Sequence, residues 1–199
     1  MKALLVLYNC NLNNFDNDYD LIIGIDRGAY NLASNNIKMD IAYGDFDSVN
    51  ETEFELIKKY SKKIVKLNPI KDLSDTYQVI KDYKDYDITI LGGIYGKRIE
   101  HFYSNLLSLI NYDNIKIMDE NSLIIKCKKG VYKNNPNYKF TSIFGIEDSI
   151  ITLKNFKYNL DNYKLNRFDP LCLSNEGNEN SIIEVIEGSV FVIYSKDDK

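Results

Sequence analysis

Asp45 and Asp47 stand one residue apart in the stretch GDFDS at 44–48, just after a short apolar run. In extended backbone, residues i and i+2 face the same side. The spacing therefore predicts two carboxylates projecting together, with Phe46 turned into the protein and Gly44 letting the chain bend. Clustered carboxylates repel one another, and a hard cation such as Mg²⁺ compensates them; such an ion in turn brings phosphate oxygens with it. The bland alternative for DFDS is an Asx turn followed by a helix cap. Asp72 and Asp75 likewise have a plain reading as helix-start carboxylates favoured by the macrodipole.

A second stretch, LGGIYGKRIEHFYSNLLSL at 91–109, runs from a strand through three glycines into an amphipathic helix. A Gly-rich turn at a helix N-terminus lets backbone N–H groups approach an anion closely. The pattern is neither the P-loop nor the dinucleotide fingerprint. At 100° per residue Ile99, Phe102, Leu106 and Ile110 form the expected buried stripe, and Arg98, His101 and Asn105 a polar stripe at its margin. Arg98 has the shape to hold phosphate or carboxylate, its alternative being a surface cation. His101, the one histidine of the chain, reads from its helix position as a structural residue.

The elements that must position these groups are legible as apolar runs. Strands are predicted at 3–8, 21–25, 40–43, 64–67, 88–91 and 115–118, with helices at 29–34, 51–60, 76–83 and 99–111. This alternation predicts a Rossmann-like, mostly parallel sheet with flanking helices over residues 1–120. Asn50 with Glu53, and Asp75 with Gln78, have capping-box spacing. Beyond residue 120 the helical period stops. Strands at 123–127, 140–144, 149–153, 170–173, 182–186 and 190–194 predict a small all-β domain over 121–199, a β-sandwich. In an open parallel sheet, ligands bind beyond the carboxyl ends of the strands. Asp26, Asp45, Asp47, Asp72, Asp75 and Gly92-Gly93 all follow predicted strands, so they are expected along one edge.

With 25 basic and 29 acidic side chains the net charge is −4, and no basic stripe suited to a nucleic-acid backbone is present. The apolar run at 3–8 is too short for a membrane span. Three scattered cysteines fit neither a disulfide framework nor a zinc site, and point to a reducing, cytoplasmic setting.

Taken together, these motifs resemble the thiamine pyrophosphokinase family. GDFDS at 44–48 looks like the family's signature of the same letters, KDLSD at 71–75 is similar to its K-D-x-T-D, and GGIYGKRIEHFYSN at 92–105 to its glycine turn leading to G-R-x-D-H and a later Asn. DRGA at 26–29 resembles the D-G-G-A element and SNE at 174–176 a Ser-Asn element of the second domain. Arg27, Ser74, Lys97 and Glu100 depart from the family pattern, and no Trp is present. The resemblance implies that ATP and thiamine give thiamine diphosphate and AMP, with Mg²⁺ required. It also implies a homodimer in which thiamine lies between the α/β domain of one subunit and the β-sandwich of the other. Carried over residue by residue, it implies Asp45, Asp47 and Asp75 at the metal with Asp72 in support, all four counted as catalytic. Lys71 and Arg98 are then expected on phosphate oxygens, His101, Asn105 and Asp26 around the nucleotide, and Ser174 and Asn175 on thiamine. Two other readings fit the same carboxylates: a metal-dependent D-x-D glycosyltransferase, and a nucleotide- or thiamine-binding protein without turnover.

Overall fold

A computed structural model describes residues 1–8, 10–12, 18–68, 72–94, 96 and 98–197. Lys71 and Lys97 lie outside the described residues. The chain divides into two units, Met1–Glu120 and Asn121–Lys199, and is a mixed α/β protein rich in strand.

In the first unit, β1 (Lys2–Val6), β2 (Leu21–Ile25), α1 (Arg27–Ser34), β3 (Met39–Gly44), α2 (Glu51–Tyr60), β4 (Ser61–Lys66), α3 (Asp75–Asp82), β5 (Asp87–Leu91), α4 (Ile99–Asn111) and β6 (Ile115–Met118) follow in order. The strands lie β6-β5-β1-β2-β3-β4, and every neighbouring pair within this run is parallel. Chain order reverses at β1, which pairs β2 on one side and β5 on the other, so the crevice beyond their carboxyl ends is a topological switch point. β1 reads as a near-continuous apolar run, Ala3 to Val6 all buried, because helices cover both faces of a parallel sheet.

Caps fix where two helices begin. Asn50 and Glu53 form the expected reciprocal box, the Asn50 side chain accepting from Glu53 N and the Glu53 side chain from Asn50 N, a device that stabilises a helix start by about 1 kcal/mol. At α3 the cap is Ser74, whose hydroxyl accepts from Tyr77 N at 3.2 Å, and Asp75 is the first helical residue; the predicted Asp75–Gln78 box does not form. The Tyr43 hydroxyl on β3 donates to Asp82, which also accepts from Gln78 at 2.9 Å, so β3 and α3 are tied together.

The face of α4 that packs inward differs from the predicted one. Asn105, Ser108 and Leu109 are buried, whereas Ile99 is 69% and Ile110 41% exposed. Apolar residues surround most of this helix, so its period admits more than one inward face. An exposed apolar strip remains, formed by Ile99, Tyr103, Leu107 and Ile110.

The second unit is built from β7 (Ser122–Lys133), β8 (Phe140–Gly145), β9 (Ser149–Lys154), β10 (Leu160–Leu165), β11 (Asn175–Glu176) and β12 (Ile182–Ser195). All its pairings are antiparallel. The predicted strands at 182–186 and 190–194 are one strand, β12, with a register shift between Val185 and Ser189 where Gly188 takes φ 82°. β12 pairs β7 along its length, and its other edge passes from β9 to β8. Residues 170–173 form turns and bends rather than a strand. The strands the pattern did not reveal are the two-residue β11, too short to show a period, and β10, where a register shift between Leu160 and Tyr163, with Asn162 at φ 47°, interrupts the alternation of side chains. Ile143, Ile151, Leu153, Ile183 and Val192 centre its core.

Among the described residues no helix is long and apolar enough to cross a membrane.

Candidate active site

Asp26 ends β2 and begins the turn into α1, at φ 47° and ψ −118°, a region that non-glycine residues adopt only under constraint. The constraint comes from β3 and the loop after it. Asp26 N–H donates to Tyr43 O at 3.0 Å, and its carboxylate Oδ1 accepts Phe46 N–H at 3.3 Å. Gly44 makes room for that carboxylate: a Cβ at Gly44, where φ is 152°, would lie 1.9 Å from Asp26 Oδ1. The glycine of GDFDS thus serves a side chain arriving from the neighbouring strand.

Asp26, Asp45 and Asp75 each offer a carboxylate oxygen, and these atoms lie within 4.8 Å of one another. Three strand ends deliver them: β2 directly, β3 through Gly44, and β4 by way of the loop that opens α3. Asp47 does not join this group. Phe46 takes φ 60°, so the i/i+2 rule for extended chain does not apply across it; the chain turns, and Asp47 N–H donates to Asp45 Oδ1 at 3.2 Å. The Asx-type contact and the clustering of Asp45 therefore coexist. Phe46 is buried, as expected, its ring 5.1 Å from that of Phe54.

These carboxylates line a cleft of about 730 Å³ together with Asp47, Arg98, His101 and Asn105. Gly93 and Ile94 form another part of its wall, and Gly92 and Gly93 turn there at φ 88° and 72°. Arg98 is 71% exposed, and its Nε donates to Glu100 Oε1 at 2.7 Å. That contact engages Nε and leaves the terminal NH₂ groups for an anion. It holds the Glu100 carboxyl below its usual range. Glu100 lies 4.0 Å from His101 Nε2. Asn105, expected at the helix margin, is buried at 5% exposure. Asp72 is exposed and is not among the lining residues. Lys71 lies outside the described residues.

In the second unit, Ser174 is exposed at φ 55°, its N–H donating to Ser142 Oγ at 2.9 Å. The Asn175 side chain is buried and occupied by backbone, Oδ1 accepting from Tyr158 N and Glu176 N, and Nδ2 donating to Tyr158 O. It fixes the Tyr158 turn against β11.

Burial, then the charge of Asp75, raise the Asp26 carboxyl from its ordinary 3.8 to about 7; the Phe46 N–H opposes them, and Asp45 adds to the rise. Between these two values the folded state holds a proton that the unfolded chain has lost, so this group's contribution to stability falls as pH rises. With divalent ions chelated, the melting temperature of the unaltered protein relative to Asp26→Asn should fall between pH 4 and 7. A difference that stays flat across that range would contradict the assignment. Three carboxylate oxygens within 4.8 Å of one another offer the hard donors that a divalent ion takes. The sequence reading counts Asp26 among the nucleotide-binding residues while allowing that it could help close the acidic cluster. Its position after a strand was the available signal; its contact with Gly44 was not.

A parallel α/β unit that gathers hard oxygen donors at its switch point, beside a cation-bearing helix start, belongs by class with enzymes that handle phosphorylated ligands. Residues 12–119 match the family model described as thiamin pyrophosphokinase, catalytic domain, and residues 122–189 the one described as thiamin pyrophosphokinase, vitamin B1 binding domain. The chain belongs to the thiamine pyrophosphokinase family. It is 32% identical over 176 residues to a thiamine pyrophosphokinase of Bacillus subtilis (strain 168), covering 83% of this chain and 82% of that one. A crystal structure of thiamine pyrophosphokinase from Bacillus subtilis superposes with a TM-score of 0.85 at 27% identity, over 98% of both chains. One from Geobacillus thermodenitrificans gives 0.85 at 24% identity, over 100% of this chain and 99% of that one, and shares the fold.

Proposed function

We propose that this chain transfers the β,γ-pyrophosphoryl group of ATP to the thiamine hydroxyl, giving thiamine diphosphate and AMP. The observation that carries the reading is the convergence of Asp26, Asp45 and Asp75 in one cleft of a chain whose family is thiamine pyrophosphokinase. In this reading Met1–Glu120 is the Rossmann-like ATP- and Mg²⁺-binding catalytic domain, supported by its parallel pairings. Asn121–Lys199 is the thiamine-binding domain, a β-sandwich in which Ser174 meets thiamine and Asn175 holds the neighbouring turn.

The chemistry asks the protein for positioning and charge compensation, because the attacking hydroxyl and leaving phosphate lie in line about the β-phosphorus. Asp26, Asp45 and Asp75 would hold Mg²⁺, which when bound neutralises charge on the phosphate oxygens. Arg98, which lines the same cleft, binds the same oxygens, oriented by Glu100, and Lys71 is assigned to them by its place in the KDLSD motif. Asp47 lines the cleft outside the three-carboxylate group, which leaves it as the base that takes the hydroxyl proton, while Asp72 adds negative charge nearby. His101 and Asn105 orient the nucleotide.

The test is AMP formation by purified protein with ATP and Mg²⁺, with and without thiamine. Thiamine-dependent AMP supports the reading; AMP independent of thiamine, or none, overturns it.

A homodimer in the cytoplasm completes the proposal. The three cysteines are free thiols, in keeping with a reducing compartment. The apolar strip of α4 is a surface that a second copy can cover. Leu107→Glu should convert a dimer to a monomer in sedimentation velocity; a variant that sediments as the unaltered dimer would remove α4 from the interface.

A further inference from the structure

Arg27 follows Asp26 directly and departs from the small residue of the family motif. Its Nη1 donates to Ser48 O at 2.8 Å, and Nη1 and Nη2 donate to the Glu53 carboxylate at 3.3 and 3.2 Å. The guanidinium carbon stands 5.4 Å from the centroid of the Tyr8 ring and 5.2 Å from that of Tyr30. The ion pair is sheltered, Arg27 being 30% and Glu53 16% exposed in their side chains. The same Glu53 carboxylate accepts Asn50 N–H at 3.0 Å.

These contacts bracket one loop. Asp26 holds it at Phe46 and Arg27 holds it at Ser48 and, through Glu53, at Asn50, where α2 begins. The first of those points, Phe46, takes φ 60°, a conformation that persists only when its surroundings over-determine it. Asp45 precedes Phe46, so freedom in this loop becomes freedom in the carboxylate that faces Asp26 and Asp75.

We propose that Arg27 is a positioning residue for the carboxylate group: it clamps residues 45–50 to the start of α1 and so fixes Asp45 within reach of Asp26 and Asp75. Rigidity of the supporting shell determines how well such a group binds an ion, and removing an outer-shell partner lowers metal affinity about 10- to 100-fold. Lysine cannot replace the clamp, because a point charge on a flexible stem does not span a carboxylate and a carbonyl at once. The identity of the ion rests on the proposed function; the clamp itself does not.

Mn²⁺ binding to the unaltered protein, Arg27→Ala and Arg27→Lys, followed by paramagnetic resonance without ATP, tests it, together with amide hydrogen exchange of residues 46–49 in the metal-free state. Both variants should bind Mn²⁺ at least tenfold more weakly and exchange the loop amides at least tenfold faster. A variant with a lowered melting temperature but unchanged Mn²⁺ affinity and exchange makes Arg27 merely structural and overturns the proposal. Arg27→Lys, which keeps the charge, gives the reading if the alanine variant fails to fold. Mn²⁺ binding that depends on Arg27 in a protein yielding no thiamine-dependent AMP sinks the assigned reaction and leaves the clamp standing. Failure of the unaltered protein to bind Mn²⁺ overturns both.

Discussion

Asp75→Asn should lower thiamine-dependent AMP formation by about 10²- to 10³-fold, the range seen when one group that stabilises transition-state charge is removed. Asparagine keeps the shape of Asp75 and its place as first residue of α3, after the Ser74 cap, so the helix start survives. What disappears is the charge of one of three carboxyl groups whose oxygens lie within 4.8 Å of one another. Repulsion within the group then falls, and the metal-free variant should melt no lower than the unaltered protein while binding Mn²⁺ far more weakly. This opposition of stability and function is expected wherever like charges are held together for a ligand. Asp47→Asn provides the contrast. Outside the carboxylate group but inside the cleft, Asp47 should lose kcat and retain Mn²⁺ affinity. If Asp47→Asn instead loses Mn²⁺ binding as severely as Asp75→Asn, the ligand set is the one the DFD spacing suggested, and Asp47 belongs to the metal.

Gly44→Ala should be the single-methyl change that most directly disturbs the carboxylate group. The new Cβ would stand 1.9 Å from Asp26 Oδ1 and 2.7 Å from its Cγ, at a φ of 152°. Either the Asp26 carboxylate leaves its place or the end of β3 rotates. Backbone strain alone is worth ~1–3 kcal/mol, and displacement of Asp26 dismantles the carboxylate group, so AMP formation should fall by about 10²-fold or more. The cause can be isolated by combining the change with Asp26→Ala. Removing the carboxylate removes the collision, so in that background Gly44→Ala should lower the melting temperature much less, though activity stays lost. Equal destabilisation in both backgrounds would put the damage in the β3 backbone alone.

Much of the layout was legible because it rests on local chemistry. Leu21–Ile25, Glu51–Tyr60, Ile99–Asn111 and Ile115–Met118 stand where apolar runs and caps predicted them, and the Asn50–Glu53 box needs only two side chains three residues apart. The site was less legible, since it depends on contacts between segments distant in sequence. Positive φ at Asp26 and Phe46 is imposed by tertiary contacts that no spacing encodes, and it separates Asp47 from Asp45. Arg27 and Glu53 are 26 residues apart, and neither belongs to a periodic pattern that would pair them. In α4, Ile99, Phe102, Tyr103, Leu106, Leu107, Leu109 and Ile110 offer apolar atoms on most sides, so period alone does not choose the inward face. A bulge concealed β10 for the converse reason, by breaking a period that pairing would otherwise have displayed.

The last strand of the second unit sets an order on its making. β8 and β9 pair through β12 rather than with each other, and β7 faces β12 along its whole length. During synthesis β7, β8 and β9 therefore emerge before the strand that joins them, and such long-range pairing is slow to form. The unit gains its sheet only once residues 182–195 have left the ribosome, and until then its strand edges stand open to wrong partners or to a waiting chaperone.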